Sequence, residues 1–171
     1  RYQIQEQLGE GGMAVVHKAY DPSIDRTLAI KFLREERCFD PDYRTRFLRE
    51  ARAAGILSHA NIATVFDVGE VDNRPYIVME MLKGETLLNR LESQKKLRLD
   101  QALEVTLQVA EALHYMHQQE FIHCDIKPEN VFLCRTPTPG RHRGVQVKLI
   151  DFGLTRMQAE AMAKLPKMAP I

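Results

Sequence analysis

Tryptophan is absent from this 171-residue sequence, aromatic residues reach only 7%, and no apolar run approaches the roughly 20 residues that a membrane-spanning helix needs. An excess of one charge is missing too: 24 Lys and Arg against 23 Asp and Glu leave a formal net charge of +1. A chain so balanced has no global field to hold a polyanion or an anionic membrane, so nucleic acid is not an expected partner and any basic patch must be local. Cysteine is scarce. Cys38, Cys124 and Cys134 are an odd number without metal-ligand spacing, which argues against a disulfide framework and for free thiols in a reducing compartment, so a cytoplasmic setting is expected. The first residues, Arg1 to Glu6, lack the apolar stretch of a signal peptide, although a membrane segment in a longer protein stays open. What is present, 44% hydrophobic and 27% charged residues, is ordinary globular composition and excludes disorder, collagen and coiled coil.

The first third reads as β structure. Tyr2, Ile4 and Leu8 alternate with polar residues, and Val15-Val16 and Leu28-Ala29-Ile30 form short apolar runs bounded by turn formers. A helix is expected from Pro41 to His59, where Tyr43, Phe47, Ala54 and Leu57 recur at helical spacings and Glu50 falls on the same face. Strands are expected over Ile62 to Val68 and Tyr76 to Met81, joined by a turn at Asp72-Asn73-Arg74-Pro75. After Lys83-Gly84-Glu85 the pattern becomes helical. The segment Asp100 to Gln119 places Ala102, Val105, Val109, Leu113 and Met116 on one face, with Asp100 as the expected N-cap. Two strands, Val131 to Leu133 and Val145 to Ile150, flank the turn-rich, basic stretch Arg135 to Gly144, read as a surface loop. The fold class expected is α+β.

Four segments carry chemistry. Gly9-Glu10-Gly11-Gly12-Met13-Ala14-Val15-Val16 lies between two strands, where glycines let backbone amides approach phosphate oxygens; a plain tight turn is the alternative. A strand follows rather than a helix, and no Gly-Lys-Ser/Thr closes the segment, so it is neither a dinucleotide fingerprint nor a P-loop. Lys31 stands in an apolar strand and Glu50 on an apolar helix face; burying either alone is costly, and a Lys31–Glu50 pair would compensate both. Snorkelling of Lys31 is the simpler alternative. In His123-Cys124-Asp125-Ile126-Lys127-Pro128-Glu129-Asn130, Asp125 can orient or accept a hydroxyl proton, Lys127 can neutralise a phosphoryl group and Asn130 can ligate a divalent metal. Asp151-Phe152-Gly153 ends an apolar strand with a carboxylate suited to Mg²⁺.

In this order, the segments resemble the eukaryotic-type protein kinases, most closely the bacterial Ser/Thr kinases, from Tyr2 to about Gly153. Lys127-Pro128 resembles Ser/Thr rather than tyrosine kinases. The resemblance implies a small lobe over residues 1–82 and the first part of a mainly helical large lobe over 83–171. It further implies that Leu8 to Val16 cover ATP, Lys31 contacts its α/β-phosphates and Glu50 braces Lys31. Met79 matches the gatekeeper, and Glu80, Met81 and Leu82 match the hinge that meets adenine. Val16, Ala29 and Phe132 would sandwich the ring, Asp125 would be the catalytic base, and Asn130 and Asp151 would hold Mg²⁺. The implied reaction is transfer of the ATP γ-phosphoryl group to Ser or Thr hydroxyls of a protein.

The chain departs from the family pattern in places. Ala14 replaces the third glycine, and Cys124 replaces the arginine that pairs with a phosphorylated activation loop, so activity is expected to be independent of that switch. Met168-Ala169-Pro170-Ile171 stands where Ala-Pro-Glu closes the activation segment, and the remaining large-lobe helices do not follow. Two other readings are therefore carried forward: a module that binds nucleotide or a partner without transfer, and a small-molecule kinase of the aminoglycoside type, against which Lys127-Pro128 argues.

Overall fold

The computed structural model describes residues 1–135 and 145–152 and the backbone of 156–157; the side chains of Glu50 and Ala53 lie outside the described residues. Much of the expected Arg135 to Gly144 loop, and Gly153 with most of the residues after it, also lie outside them.

Five strands form the first sheet: β1 (Gln3–Glu10), β2 (Ala14–Asp21), β3 (Arg26–Leu33), β4 (Val65–Val71) and β5 (Arg74–Glu80). Their order is β1-β2-β3-β5-β4, and every neighbouring pair is antiparallel. The expected turn at Asp72 to Pro75 is tighter than its sequence suggested. Asp72 and Asn73 alone take positive φ, of 48° and 60°, so that Val71 pairs with Arg74 and Pro75 lies inside β5. Two residues with positive φ match the twist of a hairpin, which is why the turn needs no more.

Helix α1 (Pro41–Ile56) crosses one face of this sheet. Asp40 caps it, its carboxylate accepting from the backbone N–H of Asp42 at 2.9 Å and of Tyr43 at 3.4 Å, and Pro41 supplies a preset φ at the first position. Phe47, Ala51 and Ala54 are buried as the spacing predicts, and Phe47 packs with Leu33 and Ile77 of the sheet. The helix stops short of the expected His59. Leu57 turns to extended backbone because its side chain, 3% exposed, is drawn into a second core beside Ile62 and Val105.

The helical segments come next. Strand β6 (Gly84–Thr86) leads into α2 (Leu87–Gln94), then α3 (Leu99–Gln118) and the short β7 (Phe121–Ile122). Asp100 is not the N-cap of α3: Arg98, two residues earlier, holds the cap position, and Asp100 sits in the first turn paired with Arg98 at 3.0 Å. The Gln101 side chain accepts from the Arg98 N–H at 3.3 Å, which satisfies an end that Asp100 was expected to satisfy. Val105, Ala112 and Met116 are buried, with Val109 and Leu113 packed beside them. Among the described residues no helix is long and apolar enough to cross a membrane.

Strands β8 (Val131–Cys134) and β9 (Gln146–Leu149) join β6 in an antiparallel sheet ordered β6-β8-β9, and β10 (Arg156–Met157) pairs with β7. Gly84, at φ 153°, opens β6 where a Cβ would lie 2.0 Å from the Leu133 carbonyl oxygen. That approach is to backbone, which cannot give way. Gly84→Ala should therefore lower the unfolding free energy by about 2 kcal/mol or more, read as a denaturant midpoint, and an unchanged midpoint would contradict this contact.

Candidate active site

The two sheets and α1 enclose a cleft of ≈ 830 Å³, within the range of small-molecule sites. Of the residues expected to meet a nucleotide, all except Val15 line it, because Ala14 and Val16 face the cleft and the alternation of β2 turns Val15 away. Asp125, Asn130 and Asp151 line it from the other side.

The glycine-rich segment closes as a hairpin, with the Gly11 N–H donating to the Ala14 carbonyl at 2.8 Å. Arg34, just beyond β3, pins this turn. Its backbone N–H donates to the Met13 carbonyl at 3.0 Å, its Nε to the Gly11 carbonyl at 2.9 Å, and its guanidinium pairs with Glu10 at 3.3 Å. Sequence reasoning passed over Arg34, since an arginine at a strand end is unremarkable until its neighbours are known.

Lys31 comes from the middle of β3 between buried neighbours and is only 9% exposed. Its Nζ lies 3.4 Å from Asp151 Oδ1, so the sheet lysine and the carboxylate after β9 meet across the cleft. The expected brace from Glu50 involves a side chain outside the described residues; the Glu50 backbone belongs to α1.

The loop after β7 is held from within. Asn130, buried, donates through Nδ2 to the Asp125 carbonyl at 2.9 Å and to Asp125 Oδ2 at 3.0 Å, while Lys127 Nζ lies 2.9 Å from the same carboxylate oxygen. The Asp125 hydrogen bond raises the Lys127 pKa, so Lys127 is cationic across the neutral range. The Ile150 N–H donates to the Asn130 carbonyl at 3.0 Å, which ties this loop to the turn carrying Asp151. Cys124 and Asp151 both take left-handed backbone, at φ 63° and 64°, a conformation that costs non-glycine residues energy and that clusters at functional sites.

His123 is 1% exposed, stacks obliquely on Phe152 with ring centroids 5.4 Å apart, and accepts the Asp125 N–H at Nδ1. Burial pushes its pKa down, against an opposing pull from the Asp125 and Asp151 carboxylates. In the unfolded chain the imidazole titrates near about 6.5, so below that pH the unfolded state takes up a proton that the folded state refuses. The stability His123 contributes is complete above that value and lost as the pH falls below it. Between about pH 7.5 and about pH 5.5, the melting temperature of the unaltered chain should fall further than that of His123→Gln. Equal slopes would refute this linkage.

All three cysteines are free thiols, and burial raises the thiol pKa of Cys38 and of Cys134. Among the described residues no three His, Cys, Asp or Glu cluster as a metal site. Asn130 and Asp151 supply oxygen donors at the same cleft, which suits Mg²⁺, an ion usually held by one or two protein groups together with phosphates. The cleft thus brings a backbone hairpin able to face phosphates, Lys31, the Asp125 and Asp151 carboxylates and the buried Asn130 amide to one place, while Lys127, which does not line the cleft, reaches Asp125 at 2.9 Å.

The family model for the protein kinase domain matches residues 2–167, and the chain belongs to that family. It is a eukaryotic-type protein kinase domain of α+β fold. A probable serine/threonine-protein kinase of Streptomyces coelicolor is 40% identical over 100% of this chain and 25% of its own length. Serine/threonine-protein kinase PksC of the same organism is 44% identical over 89% of this chain and 27% of its own. Serine/threonine-protein kinase PrkC of Bacillus subtilis is 40% identical over 90% and 22% respectively. The chain spans about a quarter of the length of the curated relatives it matches.

Proposed function

We propose that this chain is the nucleotide-binding and catalytic part of a serine/threonine protein kinase, divided at residues 82 and 83 into a small lobe and the first part of a large lobe. The substrates are ATP and a protein bearing Ser or Thr, and neither a nucleic acid nor a membrane segment of this chain takes part. The observation that carries the reading is Asp125 held by Lys127 and Asn130 opposite Lys31 and Asp151 in one cleft under a glycine-rich hairpin.

The chemistry rests on the residues in the cleft. The substrate hydroxyl oxygen forms a bond to the γ-phosphorus as the bond from that phosphorus to the bridging β-oxygen breaks, and ADP leaves with that oxygen's electrons. Asp125 orients the hydroxyl and receives its proton. Lys127, cationic and 2.9 Å from Asp125, neutralises negative charge on the transferred group, and Lys31 does so at the α/β-phosphates. Glu50 braces Lys31, the Leu8 to Val16 hairpin covers the phosphates, and Met79, Glu80 and Leu82 border adenine. Ala29 and Phe132 pack on its faces. Asn130 and Asp151 would hold Mg²⁺, which supplies neutralisation of charge shared by the β- and γ-phosphates when bound. Free thiols at all three cysteines support a cytoplasmic setting.

The test is transfer of labelled γ-phosphate from ATP·Mg²⁺ to a Ser/Thr protein such as casein, beside direct measurement of ATP·Mg²⁺ binding. Transfer with binding supports the kinase reading. Binding without transfer, even to the chain's own hydroxyls, would favour a non-catalytic nucleotide-binding module.

A further inference from the structure

Lys148 sits in β9 between Val147 and Leu149, both fully buried, and opposite Phe132 of β8, which lines the cleft. Its Nζ lies 2.7 Å from Glu80 Oε1 and donates to the Ile62 carbonyl at 3.2 Å. The pair is largely shielded, with the two side chains 12% and 20% exposed. The same Glu80 oxygen accepts the Thr64 N–H at 2.7 Å, while the Glu80 N–H donates to the Thr64 carbonyl at 2.9 Å. Around them, β9 is joined to the segment before β4, Leu149 N–H donating to the Asn61 carbonyl at 2.8 Å and Ala63 N–H to the Leu149 carbonyl at 2.9 Å.

Two charges taken out of water gain little net stability from each other, since apolar side chains of similar volume commonly fold as well or better. Their placement explains them better than folding does. Glu80 ends β5, where the chain passes into the segment bordering adenine, and Lys148 precedes by three residues the Asp151 carboxylate at the metal end of the cleft. Among the described residues, the strand register that relates these ends runs through Phe132 and Lys148, and the ion pair closes the remaining side.

We propose that the Glu80–Lys148 pair is a positioning strap: it sets the separation between the adenine end and the Asp151 end of the cleft, so that one nucleotide can engage both together. This rests on the nucleotide site proposed above. A strap of this kind has a signature that general support of the fold lacks. Adenosine uses one end of the cleft and tolerates loss of the strap, whereas ATP·Mg²⁺ needs both ends at the correct spacing and does not.

The experiment measures binding of adenosine and of ATP·Mg²⁺ by calorimetry to the unaltered chain, Lys148→Met, Glu80→Gln and the double variant. Lys148→Met should weaken ATP·Mg²⁺ about tenfold while changing adenosine affinity less than about twofold, and the double variant should be no weaker than the worse single one. Lys148→Arg, which keeps the charge, should recover most of the ATP·Mg²⁺ affinity. Should Lys148→Met not fold, Lys148→Gln, which removes the charge but keeps a donor for the Glu80 carboxylate and the Ile62 carbonyl, carries the same comparison. Equal losses for both ligands, or undiminished ATP·Mg²⁺ binding, overturn the strap alone. Binding of neither ligand by the unaltered chain overturns the nucleotide site and the strap with it.

Discussion

Asp125→Asn should reduce phosphoryl transfer by about 10²- to 10⁴-fold while ATP·Mg²⁺ affinity stays within a few-fold of the unaltered chain. The substitution keeps the side-chain shape and one oxygen able to accept from Asn130 Nδ2, now 3.0 Å from Asp125 Oδ2, so the loop has a reason to hold. It removes the site's proton acceptor and the anion that Lys127 faces at 2.9 Å. Single-turnover transfer with saturating ATP isolates that step from binding. A rate within tenfold of the unaltered chain would mean that Asp125 is not the base.

Lys31→Met should lower transfer by about 10²-fold or more and yet shift the melting temperature only modestly, because the Asp151 side chain left behind is 43% exposed and regains water. Lys31 is 9% exposed and its Nζ lies 3.4 Å from Asp151 Oδ1, so the substitution takes a cation from the centre of the cleft. Methionine fills nearly the same volume with no charge to desolvate. Its neighbours in β3, Ala29, Ile30 and Leu33, are buried, which favours an apolar side chain. Activity therefore falls far more than stability does, as expected of a charge kept for chemistry. A large drop in melting temperature with only a modest loss of transfer would recast Lys31 as a structural residue. Calorimetric melting run beside the transfer assay distinguishes the outcomes.

Both predictions concern residues whose chemistry was legible from the chain. The loop His123 to Asn130 is continuous, so its spacing already constrains which groups meet: Asp125, Lys127 and Asn130 do converge, at 2.9 and 3.0 Å. Helix α1 was legible as well, because an amphipathic stripe and a Pro at the first turn are local properties. The short strands were not. Strand β6 has only three residues, and its partner is β8, distant in sequence, so neither period nor length marks it. Asp100 misled for the same local reason. A good capping residue stood two positions past the cap, and the Gln101 side chain satisfied the helix end instead.

Lys148 is the instructive omission. A lysine flanked by Val147, Leu149 and Ile150 is the same anomaly that singled out Lys31, yet its partner Glu80 lies 68 positions away and Glu80 had already been assigned to the hinge. Its isolated charge was visible; its counter-charge was not. Arg34 is similar, since its value lies in three contacts with the glycine-rich turn rather than in its own surroundings.

The amino-acid sequence by itself determined the set of reactive groups, their order along the chain and hence membership of the kinase family, because each motif is short and its chemistry belongs to neighbouring residues. Tertiary structure alone decided which of those groups meet. Lys31 reaches Asp151 across 120 positions, Lys148 reaches Glu80, and Val15 turns away from a cleft that Ala14 and Val16 face. The physical reason is that a buried charge needs a partner, but which one it finds depends on strand register and on the packing of two sheets against one another, neither of which a local pattern encodes.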